Sequence, residues 1–422
     1  MPVKDADVVV VGAGAAGLMA ARTVAETGLD VVVLEGRKRA GGRILTIRPP
    51  DLTCAVELGA EFVHGDAPLT RELLDEAGLE LSRLEAESFQ ARAGRIGPAE
   101  AWKSIERVLG ALDEEREPDR SFAEFLRSAD AAEFDARDRE RALAFVEGFH
   151  AADPERVSER GLAREGGGGA VSGGRIPAGY DRIVDRLADG LVGRIRFAHV
   201  VKRCAWSDDG VTLWGAGFST RARAAIVAVP HAVLRAPAKA AASITFDPVV
   251  FGLAAKLAAV ETGDVVRLVI ATDAPAAAVF GLQADAFFLH TPACDFNAFW
   301  SVEPSGVPAL VAWSGGARSR GLPRGRDARF RAALETLRVA AGPAGARFAA
   351  SARTAHAHDW RRDPFARGAY GYPVVGGGPL EPLHTGALAF AGEAFAGKTI
   401  GTVEGALDTG RDAARELLAR LS

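Results

Sequence analysis

The chain is poor in cysteine, and the cysteines it has are far apart. Cys54, Cys204 and Cys294 are the only three in 422 residues. An odd number of widely spaced thiols argues against both a disulfide framework and a thiolate metal cluster. The composition favours a reducing compartment, so we expect a cytoplasmic protein with three plain thiols.

Long apolar runs and an excess of one charge are also missing. No stretch offers about 18 uninterrupted apolar residues, so no transmembrane segment is predicted. The apolar stretch 8–21 is broken by three glycines and follows two aspartates, which argues against a secretory leader. The net charge is −4 and Lys and Arg form no dense run, so nucleic acid is not an expected partner.

The sequence does contain a strand, a glycine turn, a helix and a second strand at its start. Residues 7–11 (DVVVV) form a β-branched run typical of a strand buried on both faces. Gly12, Gly14 and Gly17 then fit G-x-G-x-x-G, in which the glycines permit a tight turn, close approach of a pyrophosphate and close helix packing. Glu35 ends the second strand, where it is placed to accept hydrogen bonds from a ribose. The pattern predicts a Rossmann-like dinucleotide site.

A second glycine turn decides between nucleotides. Arg37 follows the acid, and Gly41-Gly42-Arg43 supplies a guanidinium able to bind phosphate bidentately. A pyridine nucleotide needs no second turn, so FAD is favoured. With these residues the sequence resembles the flavin-containing amine oxidase family, whose opening combines a glycine fingerprint, an acid and Gly-Gly-Arg.

The resemblance covers both ends and the middle of the chain. Segment 57–65 (ELGAEFVHG) is similar to the part that polyamine oxidases and histone demethylases lay along the isoalloxazine ring. Further similar segments are 179–181 (GYD), 200–201 (VV), 228–231 (AVPH), 390–393 (FAGE) and 401–406 (GTVEGA).

The family resemblance implies an α/β protein in which a Rossmann-like, GR2-type FAD-binding domain carries an inserted α+β substrate domain. Segments 1–67, 174–244 and 364–422 are expected to form the discontinuous FAD-binding domain. Segments 68–173 and 245–363 are expected to form the substrate-binding domain. A glycine cluster at 166–169 indicates a linker or a close backbone approach.

The region 68–150 is rich in Glu, Arg, Leu and Ala, which predicts several amphipathic helices. Residues 196–201 are expected to form a short strand and residues 326–341 a helix.

One motif competes with this interpretation. Residues 392–399 (GEAFAGKT) match G-x-x-x-x-G-K-[ST], which taken alone indicates a phosphate-binding loop of an ATPase. Only 23 residues follow Thr399, too few for the strands and metal-binding acid that such a domain needs. Gly401 and Gly405 also lie where the phosphate-binding helix should begin. The flavin interpretation uses the same helix, whose N-terminal amides near Val403 would stabilise negative charge on the reduced ring.

The resemblance implies a chemistry that needs no strong acid or base, because the protein mainly positions a C–H bond against flavin N5. No Ser-His-Asp or G-x-S-x-G signature is present. His356 and His358 lie two residues apart, but we interpret them as surface or supporting residues, and no metal is predicted. Tyr370 matches one of the family's two substrate-flanking aromatics, whereas Thr402 stands at the second position.

Two further departures bear on the cofactor. Ala369 stands where monoamine oxidases attach FAD through a cysteine, so noncovalent FAD is predicted. Arg267 stands where the family often has a lysine that holds a water at flavin N5. Since that lysine is linked to reoxidation by oxygen, the electron acceptor is either oxygen or another compound.

Two residues have competing interpretations. His64 either reaches the active site beside the flavin or caps a loop at Gly65. Trp360 is interpreted as a wall facing the flavin in preference to a core residue, because it precedes the Tyr370 loop. The candidate catalytic residues are Arg267, Tyr370 and His64, and the candidate substrate-binding residues are Phe62, Tyr370 and Thr402. The candidate cofactor-binding residues are Gly12, Gly14, Ala16, Gly17, Glu35, Gly36, Arg37, Gly42, Arg43, Gly59, Ala60, Glu61, Val201, Trp360, Gly392, Glu393, Thr402 and Val403.

The expected function is oxidation of a C–N bond in a polyamine, monoamine or amino acid. Two alternatives remain open. A flavin desaturase or C–C oxidase, related to phytoene desaturase or protoporphyrinogen oxidase, shares the glycine fingerprint and Gly-Gly-Arg. A flavin-binding protein without catalysis, serving as an interaction module, is the third class. The exact substrate, any arginine that binds a substrate carboxylate, and the oligomeric state are not determined by the sequence.

Overall fold

The structure is a computed structural model that describes residues 5–99, 101–165, 173–377, 380 and 382–421. The glycine cluster 166–169 lies outside the described residues. In chain order the strands are β1 (Ala6–Val11), β2 (Val31–Leu34), β3 (Thr46–Ile47), β4 (Val56–Glu57), β5 (Phe62–His64), β6 (Ser82–Arg83), β7 (Glu87–Arg92), β8 (Arg95–Pro98), β9 (Gly173–Arg175), β10 (Ile195–Arg196), β11 (Val201–Ser207), β12 (Gly210–Gly215), β13 (Phe218–Val227), β14 (Thr245–Asp247), β15 (Val260–Thr262), β16 (Val265–Thr272), β17 (Phe287–His290), β18 (Ala298–Ser301), β19 (Ala309–Gly315), β20 (Ala352–His358), β21 (Gly371–Pro373), β22 (Leu383–Thr385) and β23 (Leu388–Phe390).

The α-helices of the described residues connect and cover these strands. They are α1 (Ala15–Ala25), α2 (Pro68–Glu76), α3 (Ala101–Gly110), α4 (Phe122–Arg127), α5 (Ala136–Phe149), α6 (Glu159–Arg164), α7 (Asp181–Ala188), α8 (His231–Leu234), α9 (Leu253–Ala258), α10 (Ala276–Phe280), α11 (Ala317–Gly321), α12 (Arg326–Ala341), α13 (Pro343–Ser351) and α14 (Val403–Leu421). No helix of this part of the chain has the length and apolar character needed to cross a bilayer.

The larger sheet is built around the predicted first strand. Its nine described strands run β10-β2-β1-β13-β12-β11-β14, with β23 added beside β13 and β22 beside β23. β1 lies parallel to β2 and β13, and all six of its residues are buried. A β-branched strand covered on both faces accounts for this burial. The strand, glycine turn, helix and strand order predicted from the sequence is therefore present.

The second sheet contributes side chains to the site described below. Its order is β20-β16-β19-β18-β17-β7-β8, and strand β16, which lies between β20 and β19, is buried throughout. Successive side chains of a strand point to opposite faces. Leu268 and Ile270 pack under α12 and α13, whereas Val269 belongs to the opposite face together with Trp300 and Val311. Arg267 has the parity of Val269, so it lies among apolar groups on the inner face.

The region 68–150, predicted to form amphipathic helices, contains α2 to α5 and also the strands β6 to β8. Helices α3 to α6 share an apolar core that includes Phe122, Phe125 and Val146. The predicted helix 326–341 coincides with α12. The predicted strand 196–201 is wrong: the chain forms the short β10 and then β11, which begins only at Val201. Residues 196–207 (RFAHVVKRCAWS) contain no glycine or proline that would mark the boundary between β10 and β11.

Candidate active site

The two predicted glycine turns lie against each other. The amide of Gly41 donates to the carbonyl of Ala13 at 2.7 Å, and Gly14 and Gly41 form an isolated parallel bridge. A Cβ placed on Gly42 would lie 3.2 Å from Gly14 Cα. The turns therefore form a cradle of bare backbone that a side chain would fill, as a closely bound phosphate group requires.

Glu35 fixes the geometry of the first turn. Its carboxylate is buried and accepts hydrogen bonds from the amides of Ala13 and Arg37, both at 2.7 Å. The Arg37 guanidinium pairs with Asp363 at 2.6 Å and lies over the ring of Phe365. Glu35 thus lies directly after β2 and lines the cavity, at the position where the sequence predicted a ribose contact.

Arg43 joins the start of the chain to its end. Its Nη1 donates to Glu393 Oε1 at 2.7 Å and to the carbonyl of Ala369 at 2.5 Å. Glu393 also accepts from the amides of Gly371 and Gly401 at 3.2 and 3.0 Å. Burial alone raises the pKa of Glu393, but the Arg43 guanidinium outweighs it and holds the pKa below its usual value. The carboxylate is therefore ionised at neutral pH.

His231 lines the site but is not among the candidate residues that the sequence analysis identified. It is 1% exposed, its Nε2 is 2.9 Å from Thr262 Oγ1, and its Nδ1 has no hydrogen-bond partner in the described residues. The ring lines the cavity, and burial lowers its pKa to about 4. A buried polar atom without a partner beside a backbone cradle fits a bound ligand that supplies the missing hydrogen bond.

The Arg267 side chain is buried, and its positive charge is paired with a carboxylate. Its guanidinium pairs with Glu61 and donates to the carbonyl of Gly59 at 3.2 Å. Glu61 also pairs with Arg175 at 2.9 Å and accepts from Trp300 Nε1 at 3.0 Å. Burial raises the pKa of Glu61, but the two guanidinium groups outweigh it and hold the pKa low. This cluster could not be predicted from the sequence, because Glu61 directly precedes β5 and its partners lie in β9, β16 and β18.

An aromatic pocket adjoins this cluster. Phe62 lies 5.7 Å from Trp300 between ring centroids, and His64 makes an edge contact with Phe149 at 5.6 Å. Tyr370 donates its hydroxyl to the carbonyl of Phe149 at 2.5 Å. Burial lowers the pKa of His64 to about 4, so its ring is neutral at pH 7. The pocket therefore combines aromatic faces with few charges.

Thr402, at the position of the family's second aromatic residue, has its hydroxyl hydrogen-bonded to backbone groups. Its Oγ1 accepts from the amide of Gly405 at 2.9 Å, as an N-cap does, and donates to the carbonyl of Thr399 at 2.7 Å. The residue lines the cavity, but its hydroxyl is used by α14. The last three residues of the phosphate-loop motif, Gly397–Thr399, form a short 3-10 turn. Residues 400–402 separate that turn from α14.

One cavity of about 990 Å³ brings almost all of the candidates together. Of the proposed cofactor-binding residues only Gly17 does not line it. A Cβ on Gly17 would lie 1.9 Å from the Gly12 carbonyl oxygen, so its role is helix packing. The candidates that line the cavity are Gly12, Gly14, Ala16, Glu35, Gly36, Arg37, Gly42, Arg43, Gly59, Ala60, Glu61, Phe62, His64, Val201, Arg267, Trp360, Tyr370, Gly392, Glu393, Thr402 and Val403.

The histidine pair suggested as surface or supporting residues is engaged with carboxylates. His356 Nε2 is 2.9 Å from Asp51, and His358 Nε2 is 2.9 Å from Asp363. Within the described ranges no three His, Cys, Asp or Glu side chains are grouped to hold a metal ion. Trp360, the predicted wall, donates Nε1 to the carbonyl of Leu58 at 2.7 Å while its ring lines the cavity.

A mixed sheet with parallel strands β2, β1 and β13, a glycine turn after β1, a second turn facing it and an adjoining aromatic pocket define an α/β dinucleotide-binding protein with a substrate site. The chain belongs to the flavin-containing amine oxidoreductase family, whose sequence profile matches residues 15–418. The family resemblance inferred from the motifs is thereby confirmed, and the family implies a flavin cofactor.

Several curated proteins are similar to parts of the chain. Polyamine oxidase 3 of Oryza sativa subsp. japonica is 30% identical over 275 residues, which is 57% of this chain and 54% of that protein. Putrescine oxidase of Kocuria rosea is 46% identical over 76 residues, 18% of this chain and 16% of that protein. The alignment with the rice protein thus spans about half of that relative's length.

Solved structures share the fold over the whole chain. Putrescine oxidase bound to putrescine matches with a TM-score of 0.81 and 22% identity, covering 98% of this chain and 99% of that one. Cyclohexylamine oxidase from Brevibacterium oxydans matches with a TM-score of 0.81 and 21% identity, covering 99% of each chain. The predicted fold class is confirmed.

Proposed function

We propose that the chain is an FAD-dependent enzyme that oxidises the C–N bond of an amine. The observation that carries this proposal is that one continuous cavity joins the two glycine turns to the aromatic pocket. Bound FAD would supply the two-electron acceptor for a hydride equivalent from the carbon next to the amine nitrogen, and oxygen or another compound would reoxidise it. Relatives and neighbours that bear the names polyamine, putrescine and cyclohexylamine oxidase support the amine class.

The nine-stranded sheet would carry the FAD-binding domain, in segments 1–67, 174–244 and 364–422. The amides of the cradle and of the α14 N-terminus would bind negative charge. Glu35 would hold the ribose. Arg43, through Glu393, would hold the second glycine turn against the segment that leads into α14. The seven-stranded sheet and helices α3 to α6 would form the substrate domain, in segments 68–173 and 245–363.

The aromatic pocket would favour the neutral amine. Desolvation disfavours an ammonium ion, so a carbon–nitrogen group held between Tyr370 and Phe62 binds best without its extra proton. His64 remains neutral at pH 7 and places no cation beside the amine. The residues thus bind, orient and desolvate the substrate, and no side chain is needed as a strong base.

Noncovalent attachment is part of the proposal. Ala369 lines the cavity where a linking cysteine would stand, and Cys54, Cys204 and Cys294 are free thiols that do not line it. Burial raises the pKa of all three thiols, which keeps them protonated and unreactive. Denaturation in acid should release the flavin into the supernatant. The free thiols also support a reducing compartment, the cytoplasm.

Arg267 bears on the electron acceptor. Its charge is balanced by Glu61, and its Nε has no hydrogen-bond partner among the described residues. We propose that Arg267 holds Glu61 and the segment 59–61 against the flavin. If the position sets the reactivity with oxygen, Arg267→Lys will change the rate of reoxidation by air and leave anaerobic reduction by the amine nearly unchanged.

The test is the visible spectrum of the purified protein, recorded anaerobically during addition of monoamines, polyamines and L-amino acids. Bleaching of the flavin bands by one class supports amine oxidation and identifies that class. Readmission of air then distinguishes an oxidase from an enzyme with another acceptor. A yellow protein bleached by no amine contradicts the proposal and favours the desaturase alternative or the non-catalytic one. A colourless protein that FAD cannot reconstitute contradicts flavin binding.

A further inference from the structure

Helix α5 presents one face to the cavity over two turns. Arg141, Phe145 and Phe149 line the cavity at successive intervals of four residues, together with Ala144 and Gly148. Side chains spaced by three or four residues share a helix face. Phe149 lies at the active end, since its carbonyl accepts the Tyr370 hydroxyl. Arg141 is eight residues away, about 12 Å along the helix axis.

Among the described residues no carboxylate forms an ion pair with the Arg141 guanidinium, and the exposed Asp135 interacts with it only at longer range. The Arg141 Nη1 donates to Ser104 Oγ at 3.0 Å. The acids nearest to it in sequence are engaged elsewhere: Asp138 pairs with Arg107 and Glu140 with Arg92. A half-buried cation that borders a cavity and has no carboxylate partner is suited to bind an anionic group.

The other charges on the substrate side are balanced. Arg267 and Arg175 share Glu61, and Arg175 also lies 3.8 Å from Glu303, so two guanidinium groups face two carboxylates. Glu165 lies 3.2 Å from His150 Nδ1, next to the Phe149 end of the helix. His290 is buried and its pKa is lowered to about 4 by burial, so it carries no charge at pH 7. Glu165, in contact with His150, therefore lies near the Phe149 end of the helix, and Arg141, the cation without a carboxylate partner, lies at the far end.

We propose that Arg141 determines specificity by selecting amines whose distal end carries a carboxylate. This inference rests on the proposed amine oxidation and names the substrate class within it. The aromatic face between Phe149 and Arg141 would hold an apolar spacer. A second ammonium group, as in a diamine, would meet the guanidinium and be repelled, so diamines and polyamines would be poor substrates.

The first test compares three amines with the same carbon chain: octylamine, octanediamine with an amine at each end, and aminooctanoate with its amine opposite the carboxylate. The expected order of kcat/KM is aminooctanoate, then octylamine, then the diamine. The charge-assisted hydrogen bond to the carboxylate corresponds to about tenfold or more between aminooctanoate and octylamine, and repulsion of the second ammonium group lowers the value for the diamine further. Arg141→Gln should compress the series and Arg141→Glu should invert it. Arg137→Gln, at an exposed position of the same helix, should leave it unchanged.

A second test does not depend on turnover. Octanoate, which has the carboxylate and no amine, should bind the FAD-loaded protein in a calorimeter. Its affinity should fall about tenfold or more in Arg141→Gln and stay at the wild-type value in Arg137→Gln. Equal octanoate affinity in all three proteins, or a diamine as the best substrate, would overturn the inference. Because octanoate binding is measured without oxidation, a protein that oxidises no amine contradicts the proposed function while this measurement still decides the role of Arg141.

Discussion

The two ends of the cavity are built in different ways. At the cofactor end, backbone turns of bare glycine approach each other, and the contacts come from short contiguous motifs such as 12–17 and 41–43. At the substrate end, side chains from separate elements meet, as Glu61, Arg175 and Arg267 do. Close backbone approach tolerates no added atoms, whereas the substrate end depends on balanced charges and neutral histidines. The two ends should therefore fail differently when changed.

The largest expected effect on cofactor binding is at the cradle. A Cβ on Gly14 has only Gly42 Cα within 4.0 Å, and Gly14 has φ −80°, which any residue adopts. Gly14→Val should fold but fill the space meant for phosphate, weakening FAD binding about 100-fold, as a steric clash of a few kcal/mol does. Flavin absorbance per protein and the melting temperature measure the two effects.

Gly17→Ala provides the contrast. Its Cβ would lie 1.9 Å from the Gly12 carbonyl oxygen, so this change should lower the stability of the fold itself. The view that the cradle exists to admit phosphate would be wrong if Gly14→Val retained a wild-type flavin content. It would also be weakened if both variants lost stability equally before any flavin was added.

The next effect concerns the buried charges of the substrate end. Glu61→Gln leaves Arg267 and Arg175 without their shared carboxylate in an apolar surrounding. Removal of one partner from a buried ion pair costs about 3–5 kcal/mol, so the free energy of unfolding should fall by that amount. Denaturant unfolding measures it. Glu303→Gln is the matched control, because Glu303 is 3.8 Å from Arg175 and 25% exposed, and it should cost little.

These two ends also differ in how well the sequence predicts them. The first turn, β1, α1 and the position of Glu35 were predictable because a glycine spacing and a buried apolar strand are local signals. α12 was predictable for the same reason. The ion cluster around Glu61 and the role of Arg141 were not, because an arginine with a partner and one without look identical in sequence. Only the packing of α5 against the cavity separates Arg141 from Arg137.

A third effect, smaller for each group, is the pH dependence of stability. Burial lowers the pKa of His64, His231 and His290 to about 4. Between the ordinary histidine pKa near 6.5 and pH 4, the unfolded chain binds protons that the native one does not. Stability should therefore be full above this window and fall as the pH drops through it, by about 1.4 kcal/mol per pH unit for each histidine.

His290→Phe isolates one contribution to that slope. The His290 ring stacks with Phe288 at 6.4 Å, so an aromatic replacement keeps the packing and removes the titrating group. The slope of unfolding free energy against pH between 4 and 6.5 should decrease by about 1.4 kcal/mol per unit. Identical slopes for the variant and the wild type would mean that His290 is protonated in the native protein.

The smallest expected effect decides what Thr402 does at the boundary between the two ends. Its hydroxyl accepts the Gly405 amide as the N-cap of α14, so Thr402→Ala should cost about 1 kcal/mol of stability and Thr402→Ser almost none. Because the hydroxyl is occupied by backbone groups, neither change should reorder the amine series. If Thr402→Ala instead alters the preference among amines while the melting temperature stays constant, then Thr402 belongs to the substrate end, as the sequence position opposite Tyr370 predicted.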